Sequence, residues 1–171
     1  MIEGFQKREG APILPEVRPI HFKRMGRELA MQYLFQCDVN SEVAKTETMT
    51  LFWEQAESSG TFPDNRYFRK ARTYAEKLIV GVTNNLPQID GTIAEFSEKW
   101  ELERMAVVDR NILRVSIFEL TSCPDIPPLV SIDEAIEISK EYGSEKSGMF
   151  INGILNGVKD SLGKKGAVSN P

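Results

Sequence analysis

From residue 21 to about residue 162 the apolar positions recur every three or four residues, the period of a helix packed along one side. Phe22, Met25, Leu29, Ala30, Tyr33, Leu34 and Cys37 predict a first helix over Phe22 to Asp38, with Lys23, Arg24 and Arg27 on its other side. Leu51, Phe52 and Trp53 centre a weaker second helix, Thr46 to Ser58. Gly60, Thr61 and Pro63 then break the chain before Asp64, a residue suited to cap the next helix. Tyr67, Ala71, Tyr74, Ala75, Leu78 and Val82 predict a long third helix from Asn65 to near Asn84. Pro87 suits the first turn of a fourth, in which Ile89, Ile93, Phe96 and Trp100 form the stripe.

The stretch Met105 to Thr121 is apolar around more than half its circumference, which predicts the central helix. Pro124, Pro127 and Pro128 end it and hold the connection extended. Ser131-Ile132-Asp133-Glu134 matches a capping box, predicting a sixth helix that starts there and stops where Gly143 adopts a left-handed conformation. Phe150, Ile151, Ile154, Leu155 and Val158 predict a last helix over Ser147 to Ser161. No run alternates apolar and polar residues between turns as a strand would. The expected fold is therefore an all-α bundle of about seven helices over residues 21–162. Residues 1–20, with Pro12, Pro15 and Pro19, are expected to be a disordered arm, and the Gly- and Lys-rich residues 163–171 a loose tail.

Composition narrows the chemistry. The 171 residues fit one domain, and a net charge of −4 disfavours nonspecific coating of nucleic acid. One His and two Cys, Cys37 and Cys123, leave too few ligands for a structural zinc site and give no disulfide framework. No cofactor or metal is expected. No apolar run reaches the length of a membrane span and no export signal opens the chain, so a cytoplasmic setting is expected.

Three function classes can be weighed. Catalysis has little to work with: His21 stands alone at the end of the arm, and Asp133, Glu134 and Glu137 suit the positive end of a helix dipole. Neither a phosphate-binding glycine loop nor a nucleophile elbow occurs, and Gly153 and Gly157 read as a site of close helix packing. Nucleic-acid binding is favoured by Arg18, Lys23, Arg24 and Arg27, which follow one another without an acid in an acidic chain. Arg24, Arg27, Met31 and Phe35 share a helical stripe that would combine phosphate contact with base stacking, although periodicity alone favours Phe35 as core. Protein binding is the third class. From Glu95 to Glu145 twelve acids face five cations, a balance of −7 that is either a solvated face or a surface for a basic partner.

Taken together, FKRMGRELAMQYLFQ, WELERMAVVDRNILRVSIFEL and VSIDEAIEISKEYGSEKSGMFINGIL resemble the NusB transcription antitermination proteins over roughly Phe22 to Leu162. The resemblance implies two helical subdomains and no enzymatic activity. It implies binding of the single-stranded boxA element of ribosomal RNA leader transcripts, jointly with the ribosomal protein NusE, within a complex that helps RNA polymerase resist premature termination. It places RNA contacts on Lys23, Arg24, Arg27, Phe35, Asp109, Tyr142, Lys146 and Ser147, and NusE contacts on Glu101, Glu103 and Glu119. Two departures stand out: Met25 and Gly26 interrupt the basic block, and Lys146 occupies a commonly acidic position. The alternative is a helical protein-interaction module without RNA binding, for instance a dimer that buries the basic face. NusB-like domains fused to RNA methyltransferases are not the expected case, because no cofactor-binding domain follows the last helix.

Overall fold

The computed structural model describes residues 21–42, 44–59, 65–98 and 100–168. Among these residues the chain forms seven α-helices and no strand: α1 (Phe22–Val39), α2 (Thr46–Ser58), α3 (Asn65–Asn84), α4 (Leu86–Phe96), α5 (Val107–Ser122), α6 (Pro128–Tyr142) and α7 (Ser147–Val168). A short 3₁₀ turn, Leu102–Arg104, leads from α4 into α5. The arm, residues 1–20, and Asp64 lie outside the described residues.

Helix α5 is the axle of the bundle. Every residue from Asp109 to Glu119 is buried, so its apolar positions meet neighbours on all sides. α1 runs antiparallel to it, because Arg27 of α1 meets Glu119 near the end of α5 while Asp38 meets Arg110 near its start. α6 runs parallel to α1, since Arg24 pairs with Glu134 and Gln32 with Tyr142 at the same sequence offset. α4 is tied to α5 by two bonds from Arg114 to Asp90, at 2.8 and 2.9 Å. Ile112, Leu113 and Ile117 of α5 pack among Leu78 and Ile79 of α3, Ile93 of α4, and Ile151 and Leu155 of α7. Burying each such side chain contributes about 1.5–3 kcal/mol.

The interruption of the basic block has a packing cause. A Cβ on Gly26 would lie 2.9 Å from the Tyr74 ring and 3.0 Å from the Ala71 carbonyl oxygen. Gly26 is thus where α1 and α3 approach closest to backbone contact, and an arginine there has no space. His21 starts α1 by accepting the Lys23 amide on Nδ1 at 3.2 Å.

Four local expectations are corrected. α4 stops at Phe96; Glu98 takes a φ of 49°, and Trp100, expected on the buried stripe, is 57% exposed. α6 begins at Pro128, because a proline with preset φ and no N–H is suited to the first turn of a helix. The capping box Ser131 to Glu134 therefore lies inside α6, where the Ser131 hydroxyl is buried without a hydrogen-bond partner and Glu134 pairs with Arg24. Gly143 is extended, at φ −98° and ψ −170°, and is needed for room: a Cβ would sit 2.6 Å from Ser147 Oγ. Finally, α7 passes through the boundary expected at residue 162 and continues to Val168, carrying Lys165 in its last turn, where a cation complements the helix dipole.

The most buried ion pair among the described residues lies where α1, α3 and α5 meet. Arg27, 5% exposed, donates from Nε and Nη2 to Glu119 at 2.7 and 2.9 Å, and Glu119 has no exposed surface. The Tyr74 hydroxyl also donates to Glu119. Glu119→Ala leaves Arg27 and Tyr74 buried without their acceptor and is expected to cost about 3–5 kcal/mol in urea unfolding. Arg27→Met combined with Glu119→Leu should recover most of that loss, since no charge is then left unpaired.

Candidate nucleic-acid interface

The residues expected to touch RNA divide into those the fold consumes and those it leaves at the surface. Arg27 belongs to the first group. Burial opposes its charge, the paired Glu119 overcomes that penalty, and its pKa is raised. It is a strut between helices, which corrects its expected role as a phosphate contact. Glu119 is corrected likewise: it has no exposed surface with which to meet a partner. The stripe Arg24, Arg27, Met31, Phe35 is interrupted, because Arg27 and Met31 are buried and Arg24 pairs with Glu134.

What remains forms two groups along α1. At its start, half-buried Lys23 lies over the Tyr74 ring with Nζ 5.6 Å from the centroid. Beside it Arg24 is about a quarter exposed. Twelve residues on, about 18 Å along the axis, Phe35 is half-buried and takes no part in the hydrophobic core formed by the described residues. Gln32 on the neighbouring face of α1 donates to the hydroxyl of half-buried Tyr142, at 3.2 Å, at the end of α6.

The α6–α7 connection carries the remaining candidates. Asp109, Lys146 and Ser147 line one groove of about 570 Å³, together with Trp100, Met149 and Phe150. Lys146 is exposed, whereas Asp109 and Ser147 are buried at the starts of α5 and α7. Ser147 Oγ accepts the Ser144 amide at 2.9 Å, which fixes the turn into α7. Burial raises the Asp109 pKa and a hydrogen bond from Ser147 partly offsets the shift; Asp109 Oδ1 has no partner.

The expected partner-facing acids separate in the same way. Glu101 and Glu103 are exposed on the 3₁₀ turn, with Glu101 paired loosely to Arg104 at 3.4 Å. Next to them stands an apolar patch that periodicity had assigned partly to the interior. Trp100 is 57% and Met149 84% exposed, and the Trp100 ring meets Phe150 edge-on at 6.4 Å. Its one sequence signal was Trp100, which lies beyond the turn residues Ser97 and Glu98.

A further feature without a sequence signal is Glu28. It is 3% exposed beside a groove of about 450 Å³ that Tyr142 and Glu141 also line. Desolvation and the adjacent Glu141 raise its pKa to about 7, against a smaller opposing effect of Arg24.

Among the described residues, seven helices centred on α5, with half-buried Lys23 and Phe35 on α1 and an acidic, apolar corner before α5, define an all-α helical bundle. The NusB family model matches residues 24–160, and the chain belongs to the NusB family. It is 40% identical over 139 residues to the transcription antitermination protein NusB of Sorangium cellulosum, covering 81% of this chain and 92% of that one. The structure is similar to that of T. maritima NusB, with a TM-score of 0.64, 38% identity, and coverage of 81% of this chain and 90% of that one. It shares the fold of a structure of antitermination factors NusB and NusE in complex with dsRNA, at a TM-score of 0.67, 24% identity, and coverage of 84% and 99%. Among the described residues no helix is long and apolar enough to cross a membrane.

Glu28 makes stability depend on pH with a definite sign. The folded protein keeps this proton to about pH 7, whereas the ordinary glutamate value is 4.5, so stability falls as pH rises through that interval. Glu28→Gln should raise the melting temperature at pH 8 by several degrees and change it little at pH 5. Thermal melts of both proteins across that range check the slope.

Proposed function

We propose that the chain is a transcription antitermination factor that binds single-stranded boxA RNA of ribosomal RNA leader transcripts together with NusE, acting in the cytoplasm on the RNA polymerase complex. Phe35 is the observation that carries this reading. An aromatic side chain half-exposed on α1 and left out of the core is available to stack on a base, and Tyr142 and Lys146 provide a second aromatic and a cation. The family relationship supports the same role, as does a fold shared with a NusB solved with NusE and RNA. The chain works by binding, without a catalytic step.

Lys23, Arg24 and Lys146 are the phosphate contacts in this reading, Arg27 being committed to Glu119. Three contacts on a single strand correspond to a salt slope of about −2, at roughly 0.7 per contact. Such weak electrostatics call for base stacking, worth about 1–3 kcal/mol per base, and for a partner that touches the same RNA. Phe35→Ala is therefore expected to weaken boxA binding about 5- to 100-fold, with a stability change near 0.5 kcal/mol or less. Titration of labelled RNA beside a melting curve checks it. Unchanged RNA affinity with a large drop in melting temperature would make Phe35 a packing residue.

The NusE surface is the corner formed by Glu101, Glu103, Trp100 and Met149. Exposed acids there suit a basic ribosomal protein, and an exposed tryptophan beside a methionine provides the apolar centre that protein interfaces need. Trp100→Ala should weaken NusE binding at least tenfold, about 1.4 kcal/mol or more. Isothermal titration with purified NusE, run without RNA, measures that loss separately from RNA binding.

A further inference from the structure

The fold spends α1's arginines on internal pairing, yet the chain has another concentration of positive charge. Helix α3 contains Arg66, Arg69, Lys70, Arg72 and Lys77 against the single acid Glu76, a local +4 in a chain whose total is −4. Arg72 is engaged, bonding Glu76 at 2.9 Å and lying 5.2 Å over the Trp53 ring. The other four differ. Arg66, Arg69, Lys70 and Lys77 are all exposed, share one helix face, with Arg69 and Lys70 three and four residues after Arg66 and Lys77 two turns further on, and form no ion pair among the described residues.

That face is joined to the start of α1. Lys70 Nζ lies 5.5 Å over the Phe22 ring, and Lys23 Nζ lies 5.6 Å over Tyr74, so the cations of both helices form one surface. From Arg66 to Lys77 the face extends about 16 Å along the axis, at 1.5 Å per residue. A nucleic-acid strand carries one phosphate per nucleotide along its whole length, so a run of charges falls along that face. Four cations that make no ion pair among the described residues, spread along one helix face, meet such a strand more closely than they would a compact acidic patch.

We infer that the exposed face of α3 is a phosphate-binding track that holds RNA flanking the boxA element. This rests on the boxA reading for the direction from which the RNA arrives. It makes most of the electrostatic affinity a property of α3, and it makes binding depend on RNA length.

The test compares a short boxA-like RNA with the same RNA carrying an oligouridine tail at either end, titrated at several salt concentrations. The proteins are the full chain, a variant with Arg66→Gln, Arg69→Gln, Lys70→Gln and Lys77→Gln, and a charge-keeping control with Arg66→Lys and Arg69→Lys. Circular dichroism confirms helicity in each. A tail at one end should tighten wild-type binding about tenfold or more and steepen the salt slope by about 3, at 0.7 per contact. The four-site variant should lose that gain while binding the short RNA like the wild type, and the charge-keeping control should retain it. Equal gain from the tail in the four-site variant overturns the inference. So does a polyglutamate chain that displaces the tail as effectively as oligouridine does, which would assign the face to an acidic protein. If the wild type ignores the short RNA but still binds oligouridine through α3, the boxA reading fails and the α3 track stands.

Discussion

The interaction on which the bundle depends is the bidentate pair of Arg27 and Glu119, closed by the Tyr74 hydroxyl. It joins α1, α5 and α3 at a point that water does not reach. Arg27 also approaches Glu134 of α6 at 3.7 Å, and Glu134 in turn holds Arg24. One line of alternating charges therefore sets the position of four helices. Removing a partner leaves an ion where it cannot be solvated, so the geometry has few alternatives.

A second cluster does the same at the other end of α1 and α5. Asp38 Oδ2 accepts from Arg110, Asn111 and Arg114, and Arg114 reaches on to Asp90 of α4. Burial would raise the Asp38 pKa, but these donors outweigh it and hold the carboxylate below its ordinary range. With an ionic clamp at each end, α1 and α5 cannot slide past one another. That fixes Phe35 relative to Tyr142 and, through α5, sets Asp109 against the turn that carries Lys146 and Ser147.

The clamps change the meaning of the charge distribution. Several acids counted toward the partner-facing excess are internal, Glu119 fully and Asp109 nearly so, and Glu134 is tied to Arg24. One cation of the basic block, Arg27, is internal too. The surface that remains is therefore more sharply divided than the sequence total suggests, with exposed cations on α3, half-buried ones at the start of α1, and exposed acids near the 3₁₀ turn. A charge buried against its partner, as Arg27 is against Glu119, does not reach a ligand.

The sequence by itself determined the helices, because a repeat of three or four apolar residues has one local solution. The limits of α2 and α3 and the central place of α5 were legible for that reason, while the family was legible from the resemblance of particular sequence blocks. Helix ends were less so: Pro128 and Ser131 both suit the start of α6, which begins at Pro128 and leaves Glu134 to pair with Arg24 across the bundle. The role of each charged site residue was decided only by tertiary structure. Lys23 and Arg27 are four residues apart and look alike in sequence, yet one is half-buried over the Tyr74 ring and the other is buried against an acid ninety-two positions away. Periodicity reports which face of a helix is apolar, but not which neighbouring helix supplies the counter-charge, and that partner decides whether an arginine supports the fold or remains free to bind.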